Sequence, residues 1–118
     1  MGREYTQRLA GVPGIRIQAV REWAKHVYWV YGLLLDDEVP FDAFEWAGML
    51  RTKGVDTRPF FWPMHQQPVF REMGLFQGES YPVSERLARR GLYIPSGMAL
   101  TIGQIEEVVD TVRESLKW

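Results

Sequence analysis

The sequence predicts an α+β fold: a two-layer domain in which a small, mostly antiparallel sheet of about three strands packs against helices. Short runs rich in β-branched and aromatic residues are separated by helical patterns of unequal length, and three such runs are too few for a doubly wound sheet. No internal repeat, low-complexity tract or long linker divides the 118 residues, so one domain spanning 1–118 is the simplest organisation. The composition is 46% hydrophobic and 25% charged, as in globular proteins. At this length folding hides roughly two-thirds of the unfolded chain's surface, enough for one core.

Taken in order, Gly2 to Ala10 predicts a short first helix, stopped by Gly11-Val12-Pro13-Gly14. His26 to Leu35 is the strongest strand pattern and ends at the turn-forming Asp36-Asp37. Phe41 to Lys53 predicts a helix in which Phe41, Phe44, Met49 and Leu50 share a stripe and Gly54 follows as a stop. Val55 to Phe60 predicts a short strand running into Arg58-Pro59-Phe60-Phe61-Trp62-Pro63, where two prolines forbid regular structure and leave an aromatic loop. Short helices are expected at Gln67–Met73 and Val83–Arg90, the second ending on basic residues and a glycine cap at Gly91. Leu92 to Ile94 predicts a brief strand. The last helix has the plainest signal: Thr101 and Gln104 form a capping-box pattern, and Ile102, Ile105, Val108, Val109, Val112 and Leu116 recur on one face.

Charge and composition exclude several functions. Fourteen Lys and Arg against fifteen Asp and Glu leave a formal charge of −1, no field for a phosphate backbone or an anionic membrane. Nucleic acid and membrane are therefore not expected partners. With no cysteine there is no disulfide scaffold, thiolate nucleophile or cysteine zinc site, and a reducing cytoplasm fits. The longest apolar run, Val27 to Leu35, is about half of a membrane-spanning helix, and the N-terminal residues lack a signal-peptide pattern, so a soluble, unprocessed chain is expected. Five Trp, six Phe and five Tyr are many for this length and point to a filled core or a contact surface.

A search for chemistry returns little. His26 and His65 are far apart and lack acidic partners at metal-ligand spacing, so no metal is expected. Asp36-Asp37-Glu38 lacks the alternation of a calcium loop and reads as a solvated turn. Ser96 has no nucleophile elbow around it, and no glycine-rich phosphate loop is present. Lys25, Lys53 and Lys117 read as water-exposed rather than as imine-forming lysines, which need a pocket that lowers the pKa. No catalytic set of nucleophile, paired acid and base, or metal cage emerges.

Four stretches form a recognisable series. They are His26 to Gly32 (His-Val-Tyr-Trp-Val-Tyr-Gly), Thr57 to Phe70 (Thr-Arg-Pro-Phe-Phe-Trp-Pro-Met-His-Gln-Gln-Pro-Val-Phe), Tyr81-Pro82-Val83, and Tyr93 to Gly97 (Tyr-Ile-Pro-Ser-Gly). In this order, over nearly the whole chain, they resemble the C-terminal part of the DegT/StrS sugar-nucleotide aminotransferases, and look closest to the GDP-perosamine synthases. The resemblance implies the small domain of a fold type I pyridoxal-phosphate enzyme, whose large N-terminal domain carries the imine-forming lysine and most cofactor contacts. A chain without that domain is expected to bind no cofactor and to be non-catalytic by itself. The resemblance also implies that Arg58 to Pro68 lines a substrate cleft, with Arg58 and His65 as polar contacts and Phe61 and Trp62 walling the sugar. Half a site would bind a sugar nucleotide at about millimolar strength or weaker. Three readings stay open: a stand-alone domain acting through self- or partner association as a homo-oligomer, one half of a split aminotransferase joined to a separate large domain, and a sugar-nucleotide binding module.

Overall fold

The computed structural model describes residues 1–118. Its secondary structure runs α1 (Gly2–Leu9), β1 (Ile15–Ile17), β2 (Tyr31–Leu35), α2 (Ala43–Thr52), β3 (Arg58–Pro59), a 3-10 turn (Met64–Gln66), α3 (Pro68–Glu72), α4 (Pro82–Arg90), β4 (Gly91–Ile94) and α5 (Ile102–Ser115). The strands form one antiparallel sheet in the order β1-β2-β4-β3. The α+β class holds, and the sheet has four strands rather than about three. The added strand is β1, whose three residues are too few to show alternation; it is recruited by pairing, Ile15 opposite Leu35 and Ile17 opposite Leu33.

Strand β2 is shorter than its composition suggests. It starts at Tyr31, while Val27 and Trp29 are 82% and 72% exposed in the preceding loop. His26 is therefore a loop residue rather than the start of a strand: its Nδ1 accepts the Tyr28 N–H at 2.8 Å and its ring stacks on Tyr28. Aromatic and β-branched residues favour a pleated surface only where neighbours are there to pack on them.

Strand alternation sorts the sheet into two unlike faces. Tyr31, Leu33 and Leu35 of β2, with Leu92 and Ile94 of β4, point into the core, and Tyr31–Ile94 and Leu33–Leu92 are direct cross-strand pairs. Helices α1, α2 and α5 cover them with Tyr5, Leu9, Trp46, Leu50, Ile105, Val109 and Val112. The polar tips of the buried aromatics are satisfied: Tyr5 Oη donates to the Pro95 carbonyl at 2.9 Å, and Trp46 Nε1 donates to Ser115 Oγ at 2.8 Å. On the opposite face stand Gly32, paired with Tyr93, and Gly91, paired with Leu34. The Phe60 ring lies there, so close that a Cβ on Gly91 would sit 2.3 Å from it and 2.6 Å from the Leu87 carbonyl oxygen. Gly91 has extended backbone, so this position is glycine for lack of room rather than as a left-handed helix cap.

Capping fixes the phase of the two longest helices. Thr101 and Gln104 form the expected box on α5, and its buried face is Ile105, Val108, Val109 and Val112, with Leu116 packed at the edge; Ile102, in the first turn, stays half exposed. Asp42 and Glu45 form a second box that starts α2, and the stripe it sets inward is Ala43, Trp46 and Leu50. Phe44 therefore faces out, 87% exposed, as does Met49; of the expected Phe41–Phe44–Met49–Leu50 stripe, Leu50 is buried and Phe41 packs partly against the core, and the buried stripe is centred on Trp46. Gly54 ends the helix at φ +86, the left-handed geometry expected of a stop. No helix is long and apolar enough to cross a membrane.

Arg90, at the end of α4, is buried, and its guanidinium donates to three backbone carbonyls of the β2–α2 connection: Phe41 at 2.7 Å, Val39 at 3.0 Å, and Asp36. Asp36 and Asp37 in the same connection take Arg16 and Arg86 through their carboxylates, as expected of a solvated turn.

Replacing Arg90 by Ala should cost about 3 kcal/mol or more in urea unfolding, because three carbonyl acceptors lose a charged donor at once. Arg90→Lys should recover only part, since one ammonium cannot span the fork; a loss under about 1 kcal/mol for Arg90→Ala would show the clamp to be dispensable. Gly91→Ala should cost about 2 kcal/mol, because the Leu87 carbonyl cannot yield as a side-chain tip could. Burial pushes the Tyr5 hydroxyl up to about 12 and raises that of Tyr31. A raised folded-state pKa gives stability that is complete below the unfolded value near 10 and is lost as pH climbs toward 12. Melting temperature should therefore fall steeply across that window, and less steeply in Tyr5→Phe.

Candidate functional site

Below the glycine-bearing face of the sheet, α2, β3, the aromatic loop and α4 enclose an open groove of about 1270 Å³. Its walls are aromatic. Phe60 and Phe61 lean on Tyr93 of β4, with ring centroids 5.0 and 6.1 Å apart, and Trp62, Trp29 and Phe44 complete the mouth. Phe61, Trp29 and Phe44 are each more than 70% exposed, so these rings face the groove and solvent rather than the core. Local bonds hold the loop in shape: Trp62 Nε1 donates to the Gln66 carbonyl at 3.2 Å, and Gln67 Nε2 to the Trp62 carbonyl at 2.9 Å.

The groove's charges are sorted by what already binds them. Asp42 Oδ1 accepts the Phe44 and Glu45 N–H groups, each at 2.9 Å, as the cap of α2. Glu85 Oε1 accepts the Tyr81 N–H at 2.9 Å, meets His65 Nε2 at 2.8 Å and takes a longer contact from Ser80 Oγ. The Tyr81 amide, with His65 beside it, holds the Glu85 carboxyl below the usual carboxylate range. Arg51 is forked onto Asp56, at 3.0 Å from Nη2. Arg58 and Arg89 also line the groove and have no acidic partner within ion-pair distance. Both lining carboxylates are thus engaged in protein contacts while two guanidinium groups are free. Stacking surfaces beside free guanidiniums suit a planar or cyclic group that carries negative charge.

Of the residues expected at a site, the fold brings Arg58, Phe61 and Trp62 together on this groove. His65 lies behind its wall: it is 7% exposed, its Nε2 is taken by Glu85, its ring tilts against Tyr81 at 4.9 Å, and it borders a second, smaller cavity of about 300 Å³ with Arg71 and Glu79. Trp29, Phe44, Arg89 and Tyr93 were not expected there. The Asp42–Glu45 box was the available signal for Phe44, because it sets a helical phase that turns this residue away from Trp46. Nothing local marks Arg89 apart from its neighbour Arg90, one of which points to solvent and the other to the core.

Other candidate chemistry is absent from this arrangement. No three His, Cys, Asp or Glu side chains gather as metal ligands. Ser96 Oγ accepts the Tyr31 N–H at 2.8 Å and donates to the Ile94 carbonyl at 2.7 Å, a structural role. Lys25, Lys53 and Lys117 are exposed and none lines the groove; Lys53 pairs with Glu114 at 2.8 Å.

Comparison with known proteins gives one answer throughout. A GDP-perosamine synthase from Vibrio cholerae is 26% identical over 92% of this chain, which corresponds to 29% of that enzyme's length. The aminotransferase TlmJ from Streptoalloteichus hindustanus superposes with a TM-score of 0.79 at 27% identity, over 98% of this chain and 30% of that one. DesV from S. venezuelae, solved with a ketimine intermediate, gives the same TM-score and identity over 99% of this chain and 30% of its own. The chain therefore spans about 30% of the length of the relatives it matches. With a family profile matching residues 1–113, nearly all of its length, the chain belongs to the DegT/DnrJ/EryC1/StrS aminotransferase family.

Proposed function

We propose that this chain is an aminotransferase-like C-terminal domain, non-catalytic by itself, that acts by associating through its groove face with a second copy or with a separate lysine-bearing large domain. The observation that carries this reading is the mouth itself: Trp29, Phe44, Phe61 and Trp62 stand exposed around one apolar concavity, an arrangement that normally marks a contact surface. The family's chemistry uses pyridoxal phosphate held as an imine on a lysine, with the cofactor supplying the electron sink. The side chains present do not fit that group, since all three lysines are exposed and none lines the groove or the smaller cavity beside His65. The share of the relatives that the chain spans, about 30%, supports the partial-domain reading and keeps open a split aminotransferase completed in trans.

A second reading, a sugar-nucleotide binding module, draws on a different observation. Arg58 and Arg89 flank the aromatic walls with no acidic partner, which suits a diphosphate beside a stacked ring. Binding by these few contacts would be weak.

Sedimentation over a concentration series should show a mass that rises with concentration, and Phe44→Asp should weaken the association about tenfold or more, as expected for loss of an exposed aromatic anchor. A strictly monomeric species at every concentration, with no mass gain when a family large domain is added, would overturn the association reading. Chemical-shift changes on adding a GDP-linked sugar that saturate and vanish in Arg58→Ala would favour the binding module instead.

A further inference from the structure

We propose that Phe61–Glu79 is a flap that unfolds locally as one cooperative unit ahead of the rest of the molecule, latched by the His65–Glu85 pair, with the groove wall as its inner surface. The backbone hydrogen bonds of this stretch close within it, from Gln66 N–H to the Pro63 carbonyl at one end to Glu79 N–H to the Phe76 carbonyl at the other. Its side-chain bonds do the same at Trp62, Gln66 and Gln67. Two polar contacts leave it. One is Glu79 with the Tyr81 hydroxyl, two residues away at the flap's own base; the other is His65 Nε2 with Glu85 Oε1 at 2.8 Å, across to α4. Of its residues only Pro63 and His65 are buried, and the aromatic ring pairs that cross are His65 with Tyr81 and Phe61 with Tyr93.

The ends of the stretch are firm by contrast. Phe60 N–H bonds the Gly91 carbonyl and its ring is wedged against Gly91 and Gly32, while Tyr81 N–H bonds Glu85. Inside the flap Phe70 and Phe76 meet edge to face at 5.9 Å, so it has a small cluster of its own and its amides open together. A segment with internal hydrogen bonds, few buried contacts outward and fixed ends opens at a free energy well below that of the core. Opening carries Phe61, Trp62 and Gln66 away from Phe44 and Arg89 and widens the groove. His65 is then a positioning residue for the groove wall, acting through Glu85, and this holds whichever occupant the groove takes.

Amide hydrogen exchange on the whole chain at neutral pH, over a series of low urea concentrations, tests it. In the unaltered protein Arg71, Met73 and Leu75 should share one opening that is nearly independent of urea, while Val109 and Val112 exchange only through a urea-sensitive global opening. His65→Phe, which keeps a ring against Tyr81 but removes the bond to Glu85, should speed exchange of the flap amides together by about tenfold or more and leave α5 unchanged. Flap amides that follow the core's urea dependence would overturn the proposal without recourse to any variant. So would a His65→Phe protein whose flap exchange is unchanged, or rises only in step with α5.

Discussion

Arg90 carries the last turn of α4 into the interior, where its guanidinium meets the carbonyls of Asp36, Val39 and Phe41. Those carbonyls belong to the connection between β2 and α2, whose backbone cannot complete a ladder or a helix there and needs donors from elsewhere. By supplying them, Arg90 fixes where α2 starts relative to the sheet and where α4 stops, since Gly91 follows at once as the first residue of β4. The groove is the space left between these two helices and the outer face of β4, so its width is set by a side chain that does not line it. A buried guanidinium is tolerated only because its hydrogens are matched, and Nε alone lacks a partner.

The same economy of donors and acceptors shapes the groove. Asp42 and Glu85 keep their charges but engage their oxygens elsewhere, one capping α2 and the other tying the start of α4 to His65, so neither is paired with Arg58 or Arg89. The aromatic rings have a parallel origin: Gly32 and Gly91 leave a gap on the outer sheet face beside Tyr93 and Leu34, and Phe60 fills that vacancy while the rings after it stay at the surface. A single glycine-bearing face thus accounts both for the tight seat of Phe60 and for the exposed wall beside it.

Much of this was legible in the sequence where a local signal decides the structure. The Thr101–Gln104 box gave α5 and its buried face, the Asp36-Asp37 pair gave the turn, Gly54 gave the end of α2, and the order of four motifs pointed to the family. What was not legible depends on partners distant in the chain. Ile15-Arg16-Ile17 is a strand because it pairs with β2, and His26 to Val30 is not one, having no paired strand and a left-handed backbone at Tyr28. His65 sits in the expected loop, yet which way its ring turns is settled by Glu85, twenty residues on. Arg89 and Arg90 are adjacent and chemically identical, and only the packing of α4 against the β2–α2 connection separates a groove cation from an interior clamp.

The groove's electrostatic character also differs from the chain's overall balance. The formal charge of the whole molecule is −1, yet the surface that an occupant of the groove meets carries the two unpaired guanidiniums of Arg58 and Arg89 beside the hydrogen-bonded carboxylates of Asp42 and Glu85. At physiological ionic strength fields from exposed charges die away over about 8 Å, so it is this local arrangement and not the net charge that an approaching group senses. Ionic strength then acts oppositely on two kinds of occupant: added salt screens the arginines and loosens an anion, while strongly hydrated salts such as sulfate tighten an apolar surface seated on the rings.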